Sequence, residues 1–225
     1  MEKAYSTCPH DCPSTCALEV EKIDENTIGR LNGSEKNTYT AGVICAKVAR
    51  YAERTHHPDR LTKPLKRTGP KGSGQFEEIS WEEALDITAN AFKDAADKHG
   101  PETVWPYSYG GTMGLVQSGS MERLRNEMGY SNMRGTTCGA LVNAGWVAGT
   151  GRTIGPAPRE MAEADLIVIW GTNAVSTQVN VMTHVARAKK NRNAKVIVVD
   201  PYKNPTAKAA DIHICLNPGT DGALA

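Results

Sequence analysis

Long apolar runs are missing from this chain: nothing in its 225 residues approaches the roughly 20 needed to cross a bilayer as a helix. An excess of charge of one sign is missing too. Lys and Arg number 26 against 25 Asp and Glu, a formal net charge of +1, so no general attraction to nucleic acid or an acidic membrane surface is expected. Neither a Gly-x-Gly-x-x-Gly fingerprint nor a phosphate-binding P-loop occurs, which argues against an ordinary dehydrogenase or nucleotide triphosphatase. Internal repeats and low-complexity tracts are absent. The opening Met-Glu-Lys-Ala-Tyr-Ser-Thr-Cys carries neither an apolar stretch nor a twin arginine, so the expected location is the cytoplasm, where thiols stay reduced. Hydrophobic residues make up 40% of the chain, enough for a real core in one large or two small domains.

What the chain does have is cysteine at its start. Cys8, Cys12 and Cys16 lie within nine residues, and Cys45 follows in Gly-Val-Ile-Cys-Ala-Lys. Three readings compete. A structural zinc site uses four thiolates in a tetrahedron, usually as two short pairs, whereas the grouping here is three plus one. Iron-sulfur clusters commonly take three close cysteines and a remote fourth. A disulfide framework suits neither the length of the chain nor its two further lone cysteines, Cys138 and Cys215. Pro9 and Pro13 each hold the preceding cysteine extended and stiffen the loop.

Residues 17–33 alternate apolar and polar on both sides of Asp24-Glu25-Asn26, the pattern of a β-hairpin that would return Cys45 to the triplet. A short helix is expected over 46–54, then a basic, proline-containing connector over 55–70. Ser80 and Glu83 form a capping box, and Trp81, Leu85, Ala89, Phe92 and Ala96 follow at helical spacing, as a core-facing stripe, until Gly100. Residues 103–109 are expected to be a buried strand running into Gly110-Gly111-Thr112, and a helix over 117–128 stops at Gly129. A small-residue helix follows Cys138. The last third predicts strands over 165–170, 195–199 and 211–216 with a helix to about residue 190, and continuous apolar runs predict parallel strands buried on both faces. Each strand ends in a turn: Gly171-Thr172-Asn173, Asp200-Pro201 and Gly219-Thr220-Asp221. Ligands gather at that end of such sheets, and a strand-end acid such as Asp200 can hold a ribose hydroxyl or simply cap a turn.

With these features in order, the chain resembles the molybdopterin oxidoreductases of the dimethyl sulfoxide reductase and formate dehydrogenase superfamily, from Cys8 to its last residue. The resemblance implies a [4Fe-4S] cluster on Cys8, Cys12, Cys16 and Cys45, and an electron-relay role for Lys47, two places after Cys45. It implies that Cys138, followed by Ala144-Gly145, ligates molybdenum or tungsten. It implies a bis(molybdopterin guanine dinucleotide) cofactor held by Gly171, Thr172, Asn173, Asp200, Pro201, Gly219, Thr220 and Asp221, with Gly110, Gly111 and Thr112 on the metal side. No histidine among His10, His56, His57, His99, His184 and His213 falls in a matching motif, and Cys215 is expected in the core. Where formate dehydrogenases of this family carry His after the metal-ligating residue, this chain has Gly139, which leaves the substrate open.

The expected fold is therefore α/β: an iron-sulfur domain with a β-hairpin over 1–62, the first part of an α/β domain over 63–134, and over 135–225 the first part of a Rossmann-like domain, truncated at its C-terminus. The expected function is that of the N-terminal part of a molybdenum or tungsten enzyme passing electrons between a small-molecule substrate and the cluster. Expected partners are an electron-transfer subunit or the missing C-terminal part. The alternatives are a split-gene or stand-alone iron-sulfur electron-transfer subunit that needs a partner chain, and a structural zinc module.

Overall fold

A computed structural model describes residues 2–107, 115–133 and 138–225. The chain divides into two compact units, one made of residues 1–56 and 154–225 and the other of 57–153. No helix among the described residues is long and apolar enough to cross a membrane.

The first unit begins with an antiparallel sheet of β1 (Glu2–Thr7), β2 (Ala17–Lys22) and β3 (Ile28–Gly33), in that order. The expected hairpin is β2 and β3, paired Val20 to Leu31 and turned where Asn26 N donates to Asp24 Oδ1. The strand before Cys8 was not foreseen, because Glu2–Thr7 is exposed along its whole length and carries no periodic apolar signal. One face of β2 buries Leu18 and Val20, which pack with Leu31, Cys16 and Val48 as a small core. A side chain cannot replace Gly33: a Cβ there would stand 2.2 Å from the carbonyl oxygen of Gly42. After that tight approach the chain enters α1 (Ala46–Ala49) and α2 (Tyr51–Thr55), two short helices in place of the single expected one.

The second unit holds the β4 (Leu65–Arg67) and β5 (Phe76–Glu78) hairpin and the helices α3 (Trp81–His99), α4 (Leu115–Met128) and α5 (Gly139–Thr150). Ser80 caps α3 by accepting from Glu83 N at 3.0 Å, and Gly100 ends it at φ 95°, a conformation glycine adopts without strain. The apolar stripe of α3 is not core-facing: Trp81 and Leu85 are 66% and 65% exposed, and no residue of the helix is buried. Phe92 packs edge-on to Tyr130 at 5.9 Å. The strand expected over 103–109 does not form in its described part. Pro101–Thr103 is a 3-10 turn, the Val104 carbonyl takes one bond from Ser131 N, and Trp105 and Tyr107 lie exposed against each other. Despite its β-rich composition, this stretch pairs with no strand among the described residues. Residues 108 and 109 and the turn Gly110-Gly111-Thr112 lie outside the described residues.

Back in the first unit, β6 (Leu166–Trp170), β7 (Lys195–Val199) and β8 (Ile212–Ile214) form a parallel sheet in sequence order, joined by α6 (Ala174–Thr177), α7 (Val179–Arg192) and α8 (Pro205–Lys208); α9 (Asp221–Leu224) follows. Ile167, Ile169, Val196 and Val198 pack with Val185, Ala188 and Ala207 of the helices into the larger core. Burial on both faces, as expected from the continuous apolar runs, is not observed for β6, where Leu166 and Val168 are 56% and 52% exposed. The helices joining these strands cover only one of its faces, and a run such as Leu-Ile-Val-Ile-Trp cannot tell one covered face from two.

Candidate metal centre

The three-plus-one cysteine pattern closes into one pocket. Cys8 and Cys16 sit where β1 ends and β2 begins, and Cys8 N donates to the Cys16 carbonyl at 2.9 Å, one rung beyond the Thr7–Ala17 pair. The loop between them carries Cys12 and turns through Thr15 at φ 41°. Cys45 opens α1, its carbonyl accepting from Ala49 N. The four thiols, with Lys47, Val48, Thr177, Val179 and Asn180, line a space of roughly 390 Å³ counted to its open mouth. No three His, Cys, Asp or Glu side chains among the described residues converge closely enough for a single metal ion. A zinc ion with bonds of about 2.3 Å would need that convergence. Four thiols ringing a larger space fit a cluster better. Burial, and after it the neighbouring thiols, push Cys8 and Cys16 above the ordinary thiol range, although a backbone hydrogen bond at His10 opposes this for Cys8. Four thiolates this close need a positively charged body between them.

The far wall comes from the other end of the chain. Asn180 Nδ2 lies 3.4 Å from Cys16 Sγ, Cys12 Sγ lies 3.6 Å from the Thr177 carbonyl, and Lys47 Nζ donates to the Ser176 carbonyl at 2.8 Å. One turn along α7, His184 is 1% exposed, stacks on Tyr39 and donates from Nε2 to its carbonyl at 3.2 Å. Tyr51 Oη and His10 Nε2 hydrogen-bond beside the pocket. Cys12, Cys16 and Lys47 were expected here; Asn180, Tyr39 and Tyr51 were not singled out in advance, and His10 and His184 were named only as histidines outside any matching motif. A signal existed: Asn180 and His184 fall on the buried stripe of α7 with Val185 and Ala188, and polar residues at core-facing helical positions call for partners.

Burial holds His184 below the ordinary imidazole range, and Arg187 and Arg159 add to this against the Tyr39 hydrogen bond. Its folded value is depressed, so the unfolded chain takes the proton first. The stability due to neutral His184 is complete above about pH 6.5 and falls as pH drops through that value. Thermal unfolding followed from pH 8 to pH 5 is expected to decline less steeply in His184→Phe than in the parent. Equal slopes would remove His184 as a cause.

The three expected turns meet at one sheet edge, because β6, β7 and β8 are parallel and in register at Trp170–Val199 and Val199–Ile214. Gly171 follows β6 at φ 64° and Thr172 is half-buried. Asn173 opens α6, with Nδ2 on Ser176 Oγ and Oδ1 accepting from Thr206 Oγ1. Asp200 accepts from Tyr202 N and Asn204 Nδ2, so both carboxylate oxygens already build the turn. Pro201 offers its carbonyl to Cys215 Sγ at 3.4 Å; Cys215 is exposed and not a core residue, because β8 ends one residue before it. Gly219 adopts φ 82°, Thr220 bonds back to Asn217, and Asp221 accepts from Trp170 Nε1 at 2.7 Å, which ties the third turn to the end of β6. In the second unit, Cys138 stands exposed at the start of α5, with its carbonyl accepting from Val142 N.

Residues 1–57 match the molybdopterin oxidoreductase Fe4S4 domain, and residues 60–225 match the family described as molybdopterin oxidoreductase. The chain is 40% identical to Probable oxidoreductase YoaE of Bacillus subtilis (strain 168), over 98% of its own length and 32% of that protein's. It is 31% identical to dimethyl sulfoxide reductase DmsA of Escherichia coli (strain K12), over 98% of its length and 29% of the relative's. Among solved structures, acetylene hydratase from Pelobacter acetylenicus aligns with a TM-score of 0.60 at 26% identity, covering 99% of this chain and 30% of that one. The chain thus spans about a third of the length of the relatives it matches. Family matches cover nearly every residue, and the chain is a member of the molybdopterin oxidoreductase family.

Proposed function

We propose that this chain supplies the electron outlet of a molybdenum or tungsten oxidoreductase, with Cys8, Cys12, Cys16 and Cys45 holding a [4Fe-4S] cluster. The observation that carries this reading is the single pocket lined by four thiols that do not converge on one ion. When bound, the pterin-held metal supplies two-electron exchange with a small-molecule substrate, and the cluster supplies single-electron transfer. The protein's part is position and electrostatics. Lys47 stands on the pocket wall and is anchored to the Ser176 carbonyl, three residues beyond Asn173 in the first strand-end turn. It thereby joins the thiol pocket to that turn, as a relay requires.

In the same reading Gly171, Thr172, Asn173, Asp200, Pro201, Gly219, Thr220 and Asp221 receive the dinucleotide portions of the cofactor. The left-handed backbone at Gly171 and Gly219 and the open space around both glycines suit close approach by a pyrophosphate. Asp200 retains lone pairs for a hydroxyl beyond its two turn bonds. Cys138 supplies a soft thiolate suited to molybdenum or tungsten. In the same reading cluster binding occupies residues 1–62, and the α/β parts occupy 63–134 and 135–225.

A further polypeptide is part of the proposal. Leu166 and Val168 leave an apolar face of the sheet open within this unit, and the rest of the enzyme or a partner subunit would cover it. The test is metal analysis of the full-length protein purified without oxygen. It is expected to contain iron, acid-labile sulfide and molybdenum or tungsten; zinc without iron would sink the reading.

A further inference from the structure

We propose that Asn180 sets the reduction potential of the cluster by donating a hydrogen bond to the Cys16 sulfur. The proposal rests on the cluster assignment above and concerns a residue outside its ligand set.

Asn180 lies in the first turn of α7, and its side chain is fully buried at 0% exposure. The amide nitrogen faces two acceptors, Cys16 Sγ at 3.4 Å and the Val43 carbonyl at 3.5 Å. Among the described residues, the buried amide oxygen has no hydrogen-bond partner. Burying an unpaired carbonyl oxygen is unfavourable, and a leucine of similar size would fill the same space without that cost. The packing of α7 therefore does not account for an amide here. Its N–H does, since only a donor can serve the Cys16 sulfur and the Val43 carbonyl together.

Cys16 is the sulfur on which such a bond counts most. It is the one buried cysteine of the four, at 7% exposure, so water competes least there. Reduction adds one electron to the cluster and takes up no proton in this scheme, so the net charge of the cluster with its four thiolates becomes one unit more negative. A donor on sulfur stabilises that more negative state and raises the potential. The amino end of α7 acts in the same sense. It is a 14-residue helix with no acidic residue in its first turn, and its Val179 and Asn180 line the pocket. The Thr177 carbonyl beside Cys12 acts in the opposite sense, which confines the assignment to the Asn180–Cys16 pair.

The experiment is an electron-paramagnetic-resonance redox titration of full-length enzyme and its Asn180→Leu variant, with iron and sulfide counted in each. The variant is expected to keep its iron and sulfide but to need a more reducing poise. At a fixed potential its reduced-to-oxidised ratio should fall at least tenfold, which is about 59 mV for one electron. An unmoved potential in a fully loaded variant overturns the proposal. Should the variant not assemble, the parent protein decides it. With 15N-labelled asparagine, the reduced cluster is expected to couple to a side-chain amide nitrogen and its exchangeable proton, and absence of both couplings overturns the assignment. A parent protein without iron would instead overturn the cluster reading, and this one with it.

Discussion

Replacing Cys45 with alanine is expected to abolish the four-iron cluster while leaving the antiparallel sheet intact. Cys8, Cys12 and Cys16 sit on a single loop and its strand ends, so they hold one side of the pocket, and Cys45 alone arrives from a different segment. Without it, the three remaining thiols leave one corner open to water and oxygen. The helix that begins there should survive, because its first bond uses the Cys45 backbone carbonyl, with no side-chain cap. Leu18, Val20, Leu31 and Val48 keep the small core together without the Cys45 sulfur. Iron and sulfide counts, visible charge-transfer absorbance and far-ultraviolet circular dichroism separate the two effects. Parental iron content in Cys45→Ala would remove that residue from the ligand set.

Cys138→Ala carries the second large effect. If this thiolate ligates the metal, its loss changes the electronics of the reacting atom. Turnover of the full-length enzyme is expected to fall at least about 100-fold, equivalent to about 2.7 kcal/mol in the barrier. The metal X-ray absorption spectrum should lose one sulfur neighbour while the cluster signal stays as in the parent. Alanine at this position should not disturb α5, which takes only a backbone bond from residue 138. An unchanged metal spectrum would place Cys138 outside the coordination sphere.

Local features of this fold were legible where chemistry is local. The Asp24-Glu25-Asn26 turn, the Ser80 cap, the glycines after α3 and α4, and the strands β6 and β7 all follow from residues within a few positions of one another. The cysteine grouping likewise announced a metal-binding loop. What depends on partners distant in sequence was not legible. The exposed stripe of α3 and the half-open face of β6 look identical, as patterns, to buried ones, because periodicity reports which face is apolar and not what covers it. Residues 103–107 have strand composition but pair with no strand among the described residues. The pocket wall from α6 and α7 was invisible for the same reason: Asn180 lies 164 positions from Cys16, and no short-range spacing links them.

That separation also bears on the order in which the molecule is made. All four thiols are synthesised by residue 45, but Asn180 and the Thr177 carbonyl belong to the same compact unit and are synthesised only after the whole of 57–153. At about 5–20 residues per second this interval lasts on the order of ten seconds. During that time the cysteine loop is an open, reactive surface carried by a nascent chain. Cluster insertion into the finished pocket therefore belongs after α7 has folded back. The relevant competitor during synthesis is any ion or oxidant that meets four uncovered thiols first.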